Sequence, residues 1–310
     1  MTAVHMPPTG SSTGSSTGSS TGSSTGSSAG SPDSPTTGFP SLIGPPPADP
    51  AVPHHRTHPL CRPCCCLALD LGSARTRVWV AGRGLVLDVP TVTFPGALYP
   101  IRRGAIVDVP GTARMLDRLL GDRLPRLTRP LVVLTAPVLD GPAYRERART
   151  AVQVLGPRAV LTVPTARAVA LAADVDLSLP LLVVDLGAHL TEVVLLADGA
   201  VCDARRTALG TTDLDGDITA ADLCEAVVTM IASMLRQDRT SLTADALTRG
   251  ALLAGGGARR PDVVHRLSGS LHAPLRPVPA PHTAAIRGAA RILRSAHAHP
   301  SGRGTAAHSP

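Results

Sequence analysis

The sequence contains no lysine: its 30 basic side chains are all arginine, set against 23 Asp and Glu for a net charge of +7. Aromatic residues are almost as scarce, at two Phe, two Tyr and one Trp. Without aromatic platforms for base stacking, and with the Arg residues forming no single run, nucleic acid is not the expected partner. An Arg-only chain rich in Ala, Pro and Gly reflects GC-rich coding before it reflects a ligand. Arg56, Arg294 and Arg303 against Asp33 and Asp49 leave the two ends at +1, so the remainder carries about +6, a balance compatible with anionic lipid or nucleotide.

Long apolar runs are missing as well. Leu179 to Val184, with Leu186, falls far short of the ~20 residues that cross a bilayer. The N-terminus lacks the basic start and apolar stretch of a secretory signal. The expected location is the cytoplasm, with a peripheral place on the inner face of the membrane as a variant of it. Residues 1–60 hold Thr-Gly-Ser-Ser repeats from Thr9 to Ser28 and then Pro-, Gly- and Ser-rich text, too poor in apolar side chains to offset the entropy of ordering. They are read as a disordered tail, as are residues 294–310.

Six cysteines are present, four of them crowded at Cys61, Cys64, Cys65 and Cys66. Cys61-Arg-Pro-Cys64 has the spacing of half a zinc site, which His54, His55 and His58 could complete. A tail joined to the start of a buried strand is the preferred reading. Disulfides are not expected of a cytosolic chain.

The most informative feature is internal. An apolar run ending at Leu69 leads into Asp70-Leu-Gly-Ser-Ala-Arg-Thr76, then Arg77-Val-Trp-Val-Ala81, a Gly82-Arg-Gly84 turn and Leu85-Val-Leu-Asp88. The plan returns 115 residues later: Pro180-Leu-Leu-Val-Val184, Asp185-Leu-Gly-Ala-His-Leu-Thr191, Glu192-Val-Val-Leu-Leu196, an Asp198-Gly199 turn and Ala200-Val-Cys202. Both read as strand, loop, strand, glycine turn, strand. An Asp at a strand end followed by Gly lets the backbone turn tightly and point its amides outward as a nest for phosphate, with the carboxylate free for hydrated Mg²⁺. Two such loops facing each other would grip a polyphosphate from both sides.

Between the loops, Gly111 to Gly121 reads as an amphipathic helix with Met115, Leu116, Leu119 and Leu120 inward, Leu131 to Thr135 as a strand, and Pro142 to Leu155 as a second helix. Val160 to Val163 and Thr165 to Ala173 give a further strand and helix. After the second loop come a helix from Thr219 to Arg236, a strand from Gly250 to Ala254 running into Gly255-Gly-Gly257, and a helix from Pro281 to Leu293. This alternation predicts an α/β fold in two related lobes, 61–166 and 167–293, with the last helix packing back on the first lobe.

These residues carry a resemblance. The paired Asp-Leu-Gly loops, the triple glycine and the closing Thr283 to Ala290 helix resemble the superfamily of actin, heat-shock chaperones and sugar kinases. Within it, the stretch from Val78 to Thr91, Arg102-Arg-Gly-Ala-Ile-Val-Asp108, Pro137 and Thr191-Glu-Val193 resemble the MreB family of rod-shape-determining proteins. The resemblance implies an actin-like, ribonuclease H-like duplicated core binding ATP and Mg²⁺ between its lobes. Asp70 and Asp185 would orient magnesium through water. The loop residues Gly72, Ser73, Ala74, Arg75, Gly187, Ala188 and His189 would meet phosphates, while Gly255, Gly256, Gly257 and Ala258 approach the adenosine. It further implies a cytoskeletal role in cell shape or wall synthesis, self-association or contact with other MreB-type proteins.

The sequence also departs from the family. Only a handful of residues join Phe94 to Arg102, and Gly210 leads almost directly into the helix at Thr219, so both small upper subdomains are largely missing. Where the family has a hydrolytic Glu before a proline, this chain reads Val163-Pro164-Thr165-Ala166. Hydrolysis is expected to be weak or lost. Ala188, His189 and Leu190 replace two glycines and a threonine. A degenerate scaffold that contacts proteins without nucleotide is the alternative function. Arg118, Arg123, Arg126 and Arg129 around Leu124 and Leu127 make a loop that a membrane surface or plain solvent would suit. Asp213, Asp215 and Asp217 start like an EF-hand but lack its closing Glu, position 224 being Cys224, and read as a turn and helix-cap cluster.

Overall fold

The computed structural model describes residues 66–94, 99–124, 129–139 and 141–298. The Thr-Gly-Ser-Ser tail, Cys61, Cys64, Cys65, the three nearby His and Leu127 fall outside them. The first repeat forms β1 (Cys66–Leu71), β2 (Arg75–Val80) and β3 (Gly84–Pro90), joined by β6 (Leu131–Ala136) and β7 (Ala159–Pro164) in the order β3-β2-β1-β6-β7. The second forms β8 (Leu181–Leu186), β9 (Thr191–Ala197) and β10 (Ala200–Thr207), joined by β11 (Ala251–Ala254) and β12 (Leu275–Pro277) in the matching order β10-β9-β8-β11-β12. Each sheet has an antiparallel hairpin half and a parallel half. Among the described residues, a two-stranded hairpin of β4 (Ile101–Arg102) and β5 (Ala105–Ile106) lies between β3 and the first helix.

The central strands β1, β6, β8 and β11 are buried on both faces because helices cover both. In the first, Leu67, Leu69, Leu71 and Val78 pack against α1 (Val109–Leu120) and α2 (Gly141–Val152). Cys66, Ala68 and Val133 pack on the other face against Ile286, Ala289 and Leu293 of α7 (Ala284–Ala298). In the second, Leu182, Val184 and Leu186 face α4 (Ala220–Gln237), α5 (Leu242–Arg249) and α6 (Pro261–Leu271). Leu181, Val183, Val194 and Leu196 face Ala166, Val169 and Ala170 of α3 (Thr165–Ala172). α3 and α7 thus form the inner layer between the two sheets. They cross so closely that a Cβ on Gly288 would lie 1.7 Å from the carbonyl oxygen of Ala168.

Local chemistry explains most element ends. α1 starts at Val109 because Asp108 caps it, accepting from the Gly111 amide at 2.8 Å, and because Pro110 tolerates the first turn. α4 opens with a reciprocal capping box between Thr219 and Asp222. Asp213 accordingly forms a turn, accepting from the Gly210 amide, but does not cap α4: Thr219 is the cap and Asp222 closes the box. α5, α6 and β12 occupy segments from which the sequence analysis draws no element. Val263, Leu267 and Leu271 of α6 fall at i, i+4 and i+8 and pack on the core, so that helix was within reach of the sequence, whereas α5 has only eight residues. Leu124 packs half-buried against the first core, while Arg126 and Leu127 of the same loop lie outside the described residues. No helix among the described residues is long and apolar enough to cross a membrane.

Two glycines make opposite predictions. Gly288→Ala must push α3 and α7 apart and is expected to cost about 3 kcal/mol. Gly269→Ala, where an added Cβ meets nothing within 4 Å, should stabilise by about 0.5 to 1 kcal/mol. Urea denaturation of both variants checks the pair; a harmless Gly288→Ala would refute the tight crossing.

Candidate functional site

Side chains alternate along a strand, and that parity builds the site. Asp70 follows Cys66 and Ala68 on the inner face of β1, and Asp185 follows Leu181 and Val183 on the inner face of β8. Both loop aspartates therefore point into one cleft of about 260 Å³ between the sheets. Its lining includes Asp70, Gly72, Ser73, Ala74 and Arg75 from the first loop, Asp185, Gly187, Ala188 and His189 from the second, and Gly255 and Gly256. Gly257 and Ala258 do not line it. They are buried beneath, where a Cβ on Gly257 would come within 2.6 Å of Leu186 Cβ.

Each loop is shaped by threonines. The Gly72 amide donates to the Arg75 carbonyl at 3.1 Å, so it is spent on closing the turn. Thr91 then holds the loop from outside: its hydroxyl donates to the Gly72 carbonyl at 2.7 Å and its amide to the Ala74 carbonyl at 2.9 Å. In a trans peptide the next N–H points opposite to the carbonyl, so the amides of Ser73 and Arg75 turn the other way. The second loop repeats the device. Gly187 closes on the Leu190 carbonyl at 2.9 Å, while the amides of Thr211 and Thr212 hold the carbonyls of Gly187 and Ala188 at 2.9 and 3.0 Å. The amides of Ala188 and His189 are turned away from Thr211 and Thr212 accordingly. Gly210 permits this contact, since its Cβ would sit 2.2 Å from the Ala188 carbonyl oxygen. Gly255, at φ +83°, passes just as close to Leu186 and Asp185.

Charged groups at the floor were not assigned roles from the sequence. Arg77, opposite Asp70 in the β1–β2 register, pairs its Nη1 with Asp70 Oδ2 at 3.3 Å, and the Thr135 hydroxyl donates to Asp70 Oδ1 at 2.8 Å. Glu192, opposite Asp185 in the β8–β9 register, is 4% exposed and accepts from the amides of Val138 and Leu139. Burial, and next the neighbouring Asp185, push its carboxyl up to about 7. Burial, and next Asp70, raise Asp185 to about 6. Tyr144 and Thr165 complete the wall, with the Tyr144 hydroxyl donating to the Leu71 carbonyl at 3.0 Å. A lone Glu in an otherwise apolar, fully buried strand is the signal that could have singled out Glu192.

One side of the cleft is bridged. Arg103, at the tip of the β4–β5 hairpin, meets Asp213 at 2.8 Å and the Ala208 carbonyl, and the Tyr99 and His189 rings lie edge to face with centroids 5.6 Å apart. Asp213 also accepts from the Gly210 amide at 2.8 Å. Desolvation, and next Arg103, hold the His189 imidazole below its usual value.

Comparisons with known proteins agree with this geometry. A family model described as MreB/Mbl protein matches residues 96–221. No curated protein matches the sequence. Among solved structures, MreB 5 of Spiroplasma citri bound to AMPPNP superposes with a TM-score of 0.67 at 14% identity, covering 75% of this chain and 96% of that one. The MamK double helical filament gives 0.62 at 17% identity, with 74% and 98% covered. The ethanolamine utilization protein EutJ from Carboxydothermus hydrogenoformans gives 0.54 at 16%, with 74% and 89% covered. The fold is the actin-like one.

The Glu192 carboxyl makes stability depend on pH. The folded protein keeps its proton to about pH 7, whereas the unfolded chain releases it near 4.5. The folded state thus binds more protons in that window, and its stability falls by roughly 3 kcal/mol as pH rises through it. Glu192→Gln should flatten this part of a urea stability profile; an unchanged slope would assign it to other groups.

Proposed function

We propose that this chain, an MreB-like protein of the actin fold, binds a nucleoside di- or triphosphate between its two loops and acts as a cytoskeletal protein in cell shape or wall synthesis. The observation that carries the reading is the matched pair of threonine-held loops whose residues line one cleft from both sides. Ser73, Ala74, Arg75, Ala188 and His189 would contact phosphates, and Gly255 and Gly256 the nucleoside side. Self-association, with itself or with other MreB-type chains, accompanies the fold in this reading, as in the filament formed by MamK.

Hydrolysis is weak or absent in this reading. The β7–α3 turn presents Val163, Pro164 and Thr165 but no carboxylate. Glu192 enters the cleft from another strand, yet its oxygens are held by the Val138 and Leu139 amides and are not free to align a water. The magnesium expected at Asp70 and Asp185 fits the donor set poorly. Both Asp70 oxygens are engaged, one of them by a guanidinium, which leaves Asp185 as the floor aspartate to face a cation held mainly by phosphate and water.

Ligand binding only to the folded state raises Tm. Millimolar ADP or ATP should raise it by several degrees, and Ala188→Asp, which places a carboxylate among the loop amides, should remove the shift without lowering the unliganded Tm. If neither nucleotide moves the wild-type Tm, the scaffold alternative replaces this function.

A further inference from the structure

The two hairpins of the repeat differ in charge at one equivalent position. Asp70 is followed seven residues on by Arg77, and Asp185 seven residues on by Glu192, each directly across the hairpin from its aspartate. Parity sends both side chains inward, so a guanidinium stands at the cleft floor between the phosphate loops. Its side chain is 11% exposed. Its Nη1 reaches Asp70, while its Nε lies 3.3 Å from Asp88 Oδ2 but makes no hydrogen bond. His282, lining the same cleft, likewise has a buried Nδ1 without a partner.

We propose that Arg77 supplies from within the chain the positive charge that polyphosphate binding in this fold otherwise draws from a divalent metal, so that the cleft takes a nucleoside di- or triphosphate in the absence of magnesium. The proposal rests on the reading of the cleft as a nucleotide site. A guanidinium carries five N–H donors in a planar fork that matches phosphate oxygens, and a buried donor without an acceptor is costly. With Nη1 on Asp70 and Nε beside Asp88, the N–H groups of Arg77 left over are the ones that phosphate oxygens entering between the loops would meet. The same guanidinium works against a metal in two ways. It shares the cleft floor with the position a cation would take and repels it. It also occupies Asp70 Oδ2, while Thr135 occupies Oδ1, so Asp70 has little left for a metal's water shell. Asp185 is then the one floor aspartate without a cation paired to it among the described residues, so the protein offers magnesium one carboxylate where two would face it without Arg77.

Isothermal titration of the full chain with ADP and with ATP, in excess EDTA and in millimolar magnesium, tests this. Affinities in the two conditions should agree within about threefold, and Arg77→Leu should bind about tenfold more weakly in EDTA and recover with magnesium. Wild-type binding that weakens more than about tenfold in EDTA overturns the role of Arg77 and leaves the nucleotide site standing. Absence of binding in both conditions overturns the site and this proposal together. The wild-type comparison decides the matter if Arg77→Leu does not fold, and an Arg77→Leu protein that binds like wild type in EDTA also overturns it.

Discussion

The approach of α7 to α3 at Gly288 sets the distance between the two sheets, and the cleft inherits its width from that contact. Neither helix could lie in the inner layer if its neighbour carried a side chain at the crossing, because backbone meets backbone there. Once the sheets stand at that spacing, strand parity does the rest. Every second residue of β1, β2, β8 and β9 faces inward, so two aspartates, an arginine and a glutamate meet across a gap that would otherwise be filled by apolar side chains. Burial then raises Asp185 and Glu192 well above the usual carboxylate range. The electrostatics of the site follow from packing at a glycine some distance from it.

Much of this was legible in the sequence because it is local. Asp-Leu-Gly at a strand end, Thr six positions on and a glycine turn specify a hairpin wherever they occur, and finding them twice specified two. The helix start at Thr219, and the apolar runs of β6 and β11, were visible for the same reason. What stayed hidden depends on which residues face each other over long separations. Thr91 holds a loop nineteen residues before it and Thr211 one twenty-four before, and a threonine in a polar stretch gives no hint of such a contact. Arg77 and Glu192 were in plain view within the repeat, yet their meaning comes from the cleft between lobes. Gly257 and Ala258 show the reverse error: a triple glycine suggests three exposed amides, but the chain dives after the second.

The two halves have diverged unequally. The first loop keeps small residues and gains an ion pair at its base. The second carries Ala188, His189 and Leu190 where the resemblance implies two glycines and a threonine, and it accommodates them by leaning on its surroundings: Leu190 fills the space above Gly104, and His189 meets Tyr99. Leu190 and the His189 ring thereby also tie the second loop to the β4–β5 side of the cleft. A duplicated fold tolerates such divergence because each copy needs only its own core to remain folded.

The hairpin tip bearing Arg103 has a kinetic consequence. If the cleft holds a ligand as proposed, the contacts of Arg103, Tyr99 and Leu190 narrow one of its exits, and parting them is an opening within the native state rather than a property of the loops. The contacts that set affinity and those that set the rate of exchange would then lie on different elements, the loops for the first and the rim for the second.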